Sequence, residues 1–396
     1  MHYAIMTRLA AFALCICSLY GCLKPAVHPP ASSAPTGTSH AAAASPPGMP
    51  ATIALPAPKA GRARPVVAVL ADNAGTEVTD FVIPFAVLKE ADVADVHAVS
   101  TDAGTVTLMP ALRVRADLSV AGFDAAFPAG ADIVIVPAMH SDDTPATLAW
   151  LRAQAQRGAL VVAVCEGARV VANAGLLDGR SATTHWYAMR SVAAKFPATR
   201  WVRDRRYLAD GNVVTSSGVT ASLPLSLALV EAISGRQVAV ATAARLGVAQ
   251  WSPLHDSAPF KLGAASIGIA LSNRLAWWRH EAIGIAVAPG FDEIALALQA
   301  DAWSRTYRSE ALALGTAATL RSRRGLWLEA DATATSTTGR HDLPAYAGLP
   351  AAALDAALAG IQDRYGRATA QFVALQLEYP RPREPATRRD RDPDSE

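Results

Sequence analysis

The chain has 396 residues, of which 51% are hydrophobic and 18% charged, and its formal net charge is +2. That length is enough for about two or three domains with a sizeable buried core. The near-neutral balance gives no electrostatic case for nucleic-acid binding, which draws on a strongly basic face.

Residues 9–21 form an apolar run of signal-peptide length, too short to span a bilayer comfortably. The run ends in Leu19-Tyr20-Gly21-Cys22, which resembles the lipobox of bacterial lipoproteins, where the cysteine becomes the lipidated first residue. The expectation is a signal peptide over 1–22, lipidation at Cys22, and a protein anchored to the membrane on the periplasmic side of the bacterial envelope. Residues 23–63, dominated by Pro, Ala, Ser, Gly and Thr, read as a flexible tether. The four cysteines are Cys15, Cys17, Cys22 and Cys165. Export and lipidation leave Cys165 as a single free thiol, and a lone thiol in an oxidising compartment is marked as reactive.

The globular part is predicted to begin near Pro65. Residues 66–70 read as a buried strand, 81–88 as an apolar helix, 93–100 as a second strand, 105–114 as one or two short strands and 131–137 as a third core strand. An amphipathic helix is predicted over 144–157. Residues 159–164 are a valine-rich strand, after which Gly167 lets the chain turn tightly into a helix over 168–174 that stops at Gly175. A turn over 206–211 leads into 212–220, and helices follow over 221–233 and 237–246. This alternation predicts an α/β fold with a parallel sheet and helices on both faces. Ligands of such sheets bind beyond the carboxyl ends of the strands, where Asp80, His140 and Cys165 all fall. The thiol sits at a strand-to-helix turn, where the free N–H groups of the first helical turn favour the thiolate. His140 reads as a surface loop residue. The nine histidines show no metal-ligand spacing, so no metal or cofactor is expected.

Three motifs occur in order: Val164-Cys165-Glu166-Gly167-Ala168, Ala182-Thr183-Thr184-His185-Trp186, and Gly211-Asn212-Val213-Val214-Thr215-Ser216-Ser217-Gly218-Val219. With Ala174-Gly175-Leu176-Leu177-Asp178-Gly179-Arg180 between the first two, residues 64–255 resemble the PfpI/ThiJ superfamily. The most similar branch holds isonitrile hydratases and the amino-terminal domains of some AraC-type regulators. The resemblance implies a flavodoxin-like three-layer sandwich of the class I glutamine-amidotransferase type. It matches Cys165 to the elbow nucleophile, His185 to the histidine near the thiol, and Asp80 to the acid of the first loop, with Glu77 as the competing acid. The chain departs from the family pattern at Glu166, where Thr or His is usual, and at Ala138-Met139, which replaces a glycine pair. The DNA-binding helices of AraC-type regulators are absent from the pattern.

Residues 281–380 read as a shortened, degenerate second α/β repeat. Ile283 to Ala295 parallels Val66 to Asp80, with Ala295 in place of Asp80, and Gly366-Arg367 parallels Gly235-Arg236. This repeat has no cysteine; it is expected to cover the first copy or dimerise with it. Residues 256–280 read as a linker, and 381–396, charged and Pro-containing, as a disordered tail.

Cysteine catalysis needs a thiolate, oxyanion donors and a proton carrier. Backbone N–H groups at Ala138 and Glu166 are the candidate donors, and His185, Asp80 or Glu77 the candidate carriers. A carboxyl beside a thiolate is expected to have a raised pKa. Glu166 either points to solvent as a helix-start acid or enters the pocket and raises the thiol pKa. The expected function is a cysteine-dependent hydrolase or lyase, of amidase or isonitrile-hydratase type, on a small molecule. The alternatives are a small-molecule or redox sensor without DNA-binding helices, in which Cys165 is oxidised reversibly, and an envelope protein that kept the fold without the chemistry. The expected partners are a small-molecule ligand, the membrane through the lipid anchor and a second copy of the chain, with no nucleic acid.

Overall fold

The structure is a computed structural model and describes residues 52–333 and 340–380. These all belong to one compact unit, 48–396. The signal peptide, Cys22, most of the tether and the charged tail lie outside the described residues.

The first copy runs β1 (Val66–Ala71), β2 (Thr76–Glu77), α1 (Val78–Ala91), β3 (Asp95–Ser100), β4 (Thr105–Met109), β5 (Arg113–Arg115), β6 (Leu118–Ser119), α2 (Val120–Ala126), β7 (Ile133–Val136), α3 (Pro145–Gln156), β8 (Leu160–Ala163) and α4 (Gly167–Asn173). It continues through β9 (Ser181–Ala182), α5 (Met189–Lys195), β10 (Arg200–Trp201), β11 (Tyr207–Asp210), β12 (Val213–Ser216), α6 (Ser222–Ser234) and α7 (Arg236–Leu246). The central sheet has seven strands in the order β11-β12-β8-β7-β1-β3-β6. Every neighbouring pair is parallel except β11–β12. Successive residues of β1 enter opposite clusters, Val67 and Val69 on one face and Val66, Ala68 and Leu70 on the other. Both faces are covered, by α1, α6 and α7 on one side and α2, α3 and α4 on the other, so the strand reads as a continuous apolar run. This is the three-layer α/β sandwich.

After α8 (Ala264–Leu275), the second copy runs β13 (Glu281–Val287), α9 (Glu293–Ser304), β14 (Ser309–Gly315), β15 (Thr319–Arg321), β16 (Trp327–Glu329), β17 (Ala332–Thr333), β18 (Arg340–Leu343), α10 (Ala353–Tyr365) and α11 (Arg367–Gln376). Its four-stranded sheet, β17-β14-β13-β18, is all parallel and repeats the β6-β3-β1-β7 segment of the first copy. The antiparallel β15–β16 pair repeats β4–β5, and β16 pairs directly with β5. Gly235, between α6 and α7, has φ 84° and ψ 167°; Gly366, between α10 and α11, has φ 88° and ψ 160°. The second copy passes from β18 to α10 without counterparts of β8 and α4, so it has no elbow. Residues of both copies share one hydrophobic cluster, and all twelve residues of α9 are buried.

Two boundaries differ from expectation. The stretch 256–280 contains α8, which the buried Asn273 fastens by donating to the Thr306 carbonyl (2.9 Å) and to Thr369 Oγ1 (3.2 Å). The end of the tether is docked, because Ile53 is buried in the core and Arg62 pairs with the buried Asp132 at 2.6 Å.

Candidate active site around Cys165

Cys165 is the residue that makes the elbow turn. It adopts φ 55°, in the left-handed region that a non-glycine residue occupies at a cost of about 1–3 kcal/mol. Gly167 was expected to carry that turn, but its φ is not positive. Its role is close approach: a Cβ there would lie 2.0 Å from the Val136 carbonyl oxygen. The strained backbone is pinned from both sides. The Cys165 N–H donates to Ser216 Oγ at 3.3 Å, and Thr184 Oγ1 donates to the Cys165 carbonyl at 2.9 Å.

The thiol is buried and, among the described residues, is the free cysteine. Burial pushes its pKa well above the ordinary value, and the charges of Asp80, Glu166, Glu77 and Glu378 push in the same direction. The expected thiolate stabilisation by the start of the seven-residue α4 is therefore outweighed by burial and by these charges. Asp80 is fully buried. Burial, then the charge of Glu77, raises its carboxyl well above the usual range, against the hydrogen bond from Ala138. Asp80 Oδ2 accepts the Ala138 N–H at 3.2 Å, while Oδ1 is buried without a hydrogen-bond partner.

The other predicted residues take more structural parts. Glu77 caps α1: its Oε2 accepts the Asp80 N–H (2.6 Å) and Thr79 Oγ1 (2.9 Å), and its Oε1 pairs with Arg305 at 2.9 Å. The Ala138 N–H, expected to face an oxyanion, is donated to Asp80 instead. His185 Nε2 lies 2.9 Å from the Gln376 carbonyl, so that nitrogen carries its proton toward the second copy rather than toward the thiol. Glu166 pairs with Arg169 at 3.3 Å with its side chain 35% exposed, and its charge still reaches the thiol. His140 is exposed.

The second copy contributes directly. Arg305, just past the end of α9, joins Glu77 to Asp301 (2.6 Å), and its charge interacts with Cys165. One guanidinium thus faces two carboxylates, and burial raises Asp301 to about 8 against its pull. Beyond α11, Glu378 is buried and accepts the Trp186 N–H at 2.7 Å and the Gly218 N–H at 2.6 Å. A cavity of about 440 Å³, lined by Ile83, Leu223 and Trp251 of the first copy and Leu298 and Leu354 of the second, lies between the copies, with Arg206 on its wall.

The sequence model of the DJ-1/PfpI family matches residues 65–232. Isonitrile hydratase of Pseudomonas putida is 30% identical over 184 residues, covering 46% of this chain and 77% of that protein. The chain belongs to the DJ-1/PfpI family. The HTH-type transcriptional regulator CdhR of Pseudomonas aeruginosa is 31% identical over 163 residues, covering 40% of this chain and 47% of the regulator. The chain thus spans about half of that relative's length. Among solved structures, Drosophila melanogaster DJ-1beta is 23% identical, with a TM-score of 0.43, covering 47% of this chain and 100% of that chain.

The DJ-1/PfpI match ends within α6, so Arg305, Gln376 and Glu378 lie outside it. Sequence reasoning missed these three, and no local pattern marks them. It also gave no role to Thr184 and Ser216, although both stand in the quoted motifs.

Proposed function

We propose that the chain is a cysteine-dependent enzyme of the DJ-1/PfpI family that adds water to a small, neutral substrate with a carbon–nitrogen multiple bond, an isonitrile being the type. The observation that carries this is the pairing of a thiol held at φ 55° with the buried Asp80, whose carboxyl pKa is raised. At neutral pH the thiol rests uncharged, and burial favours the proton on Asp80. Asp80 gives its proton to the substrate carbon, the sulfur bonds to that carbon, and the thiol proton passes to the vacated Asp80 oxygen. Water then hydrolyses the thioimidate, releasing the formamide and the thiol. Such a site favours a basic, uncharged substrate over a peptide, which needs a preformed thiolate and free oxyanion donors. The test is formamide production from a small alkyl isonitrile. Wild type turns over, Cys165→Ser does not, and Asp80→Asn loses at least about a hundredfold in kcat; no turnover by wild type contradicts the assignment.

The burial of Cys165 favours a second reading, a sensor whose thiol is oxidised reversibly only when the cover opens. Reversible sulfenic acid formation with peroxide, without isonitrile turnover, would select it. The proposal also keeps the envelope lipoprotein expected from Leu19 to Cys22: a fatty-acid probe should label the wild-type chain in cells and fail to label Cys22→Ser.

A further inference from the structure

The joint between the copies holds more than a helix end needs. The last carbonyls of α11 lack intrahelical donors, and the first copy supplies them. Trp186 Nε1 donates to the Leu375 carbonyl (3.1 Å), His185 Nε2 to Gln376 (2.9 Å), the Thr220 N–H to Leu377 (3.2 Å) and Thr220 Oγ1 to Glu378 (2.8 Å). That set accounts for the docking. It does not account for the Glu378 carboxylate, which turns inward from a backbone at φ 52° and is buried.

The groups around that carboxylate all belong to the first copy. Two backbone N–H groups from separate loops, Trp186 and Gly218, point one at each oxygen. His255, its side chain 3% exposed and stacked on Phe260, places Nε2 3.6 Å from Oε2, and that nitrogen has no hydrogen-bond partner. Arg206 adds attraction for the same charge. Gly218 must lack a Cβ here, since one would lie 2.9 Å from the carboxylate carbon. Convergent N–H donors, a buried imidazole and a guanidinium are the components of a carboxylate receptor.

We propose that the first copy contains a carboxylate-binding site, built from the Trp186 and Gly218 N–H groups, His255 and Arg206, and that Glu378 of the second copy is its tethered occupant. The site takes small monocarboxylates when the tethered one is removed. The two loops it joins also carry Thr184 and Ser216, which pin the Cys165 backbone, so its occupancy is mechanically linked to the elbow. The inference does not depend on the reaction proposed for Cys165.

The substitution Glu378→Ala removes the atoms of one acetate ion, so acetate is the probe. Thermal unfolding of the full chain is followed in sodium acetate against sodium chloride of equal ionic strength. The variant should rise saturably in acetate, by about 2 °C at tenfold excess over its dissociation constant, while wild type stays unmoved. If the variant does not fold in chloride, its refolding yield in acetate replaces the melting temperature, and acetate-dependent recovery is expected. No acetate-specific gain in either measurement overturns the proposal, as does an equal gain in wild type.

Discussion

The starts of α1 and α9 hold matching positions, and a few substitutions separate the one beside Cys165 from the other. The N-cap carboxylates correspond, Glu77 in one copy and Asp292 in the other, and each accepts backbone N–H groups of its own helix. The third helical residue is Asp80 in the first copy and Ala295 in the second. The thirteenth position holds Glu90 in α1 and Arg305 just past α9. The start of each helix faces the end of the other, so this exchange breaks the symmetry of charge. Glu77 meets Arg305 directly at 2.9 Å, whereas Asp292 meets another acid, Glu90, and Arg324 is inserted to bridge them at 3.0 and 2.8 Å. The second α/β unit thus does two jobs: it closes the face of α1, and it sends Arg305 and Glu378 toward an elbow that it does not itself contain.

The largest test of this asymmetry compares the two bridging arginines. Arg305→Met leaves Glu77 and Asp301 without their cation, and Arg324→Met does the same to Glu293, while Glu90 keeps Arg245 and Asp292 keeps Arg323. Each should cost about 3–5 kcal/mol in chemical unfolding, since a buried pair loses one partner. Only Arg305→Met should also slow iodoacetamide alkylation of Cys165, because only Arg305 offsets the acids around the thiol. Equal effects of both on alkylation would break the comparison.

A smaller effect should be equal in the two copies. Gly235 and Gly366 share a backbone conformation that is essentially reserved for glycine, and neither has an atom within 4 Å of an added Cβ. Alanine at either position should therefore cost the backbone term alone, about 2 kcal/mol each. A difference beyond about 1 kcal/mol would show that the copies are not equivalent in stability at this joint.

The smallest effect is on pH. The carboxyl pKa of Asp301 is raised to about 8 in the folded chain, so folding retains a proton that the unfolded chain has released. That stabilisation is complete below the unfolded value and is lost as pH rises through the folded one. Between pH 6 and 8 stability should fall by about 1–2 kcal/mol, and Asp301→Asn should flatten the slope. A slope unchanged by that substitution would place the proton elsewhere.

Much of the frame is legible because doubly covered strands spell continuous apolar runs, as in Val66–Ala71 and Leu160–Ala163. The thiol at the turn is legible for the same reason, as the residue that ends such a run. What the letters do not carry is backbone sign: Gly167 attracts the turn on propensity, yet Cys165 bears the positive φ and Gly167 bears the close contact. Nor do they carry convergence. The upward Cys165 shift comes first from burial and then from acids at 77, 80, 166 and 378 meeting around it, and a glutamate before Tyr379-Pro380 reads as the surface end of a helix.

A neutral thiol beside Asp80 is the centre of the proposed chemistry, and the pH dependence of Cys165 alkylation by iodoacetamide tests it most directly. The wild-type midpoint should lie above the ordinary thiol value of about 8.5, and Asp80→Asn should lower it, because Asp80 is the strongest of the charges raising it. A wild-type midpoint at or below about 8.5, or one that Asp80→Asn leaves in place, would contradict the account.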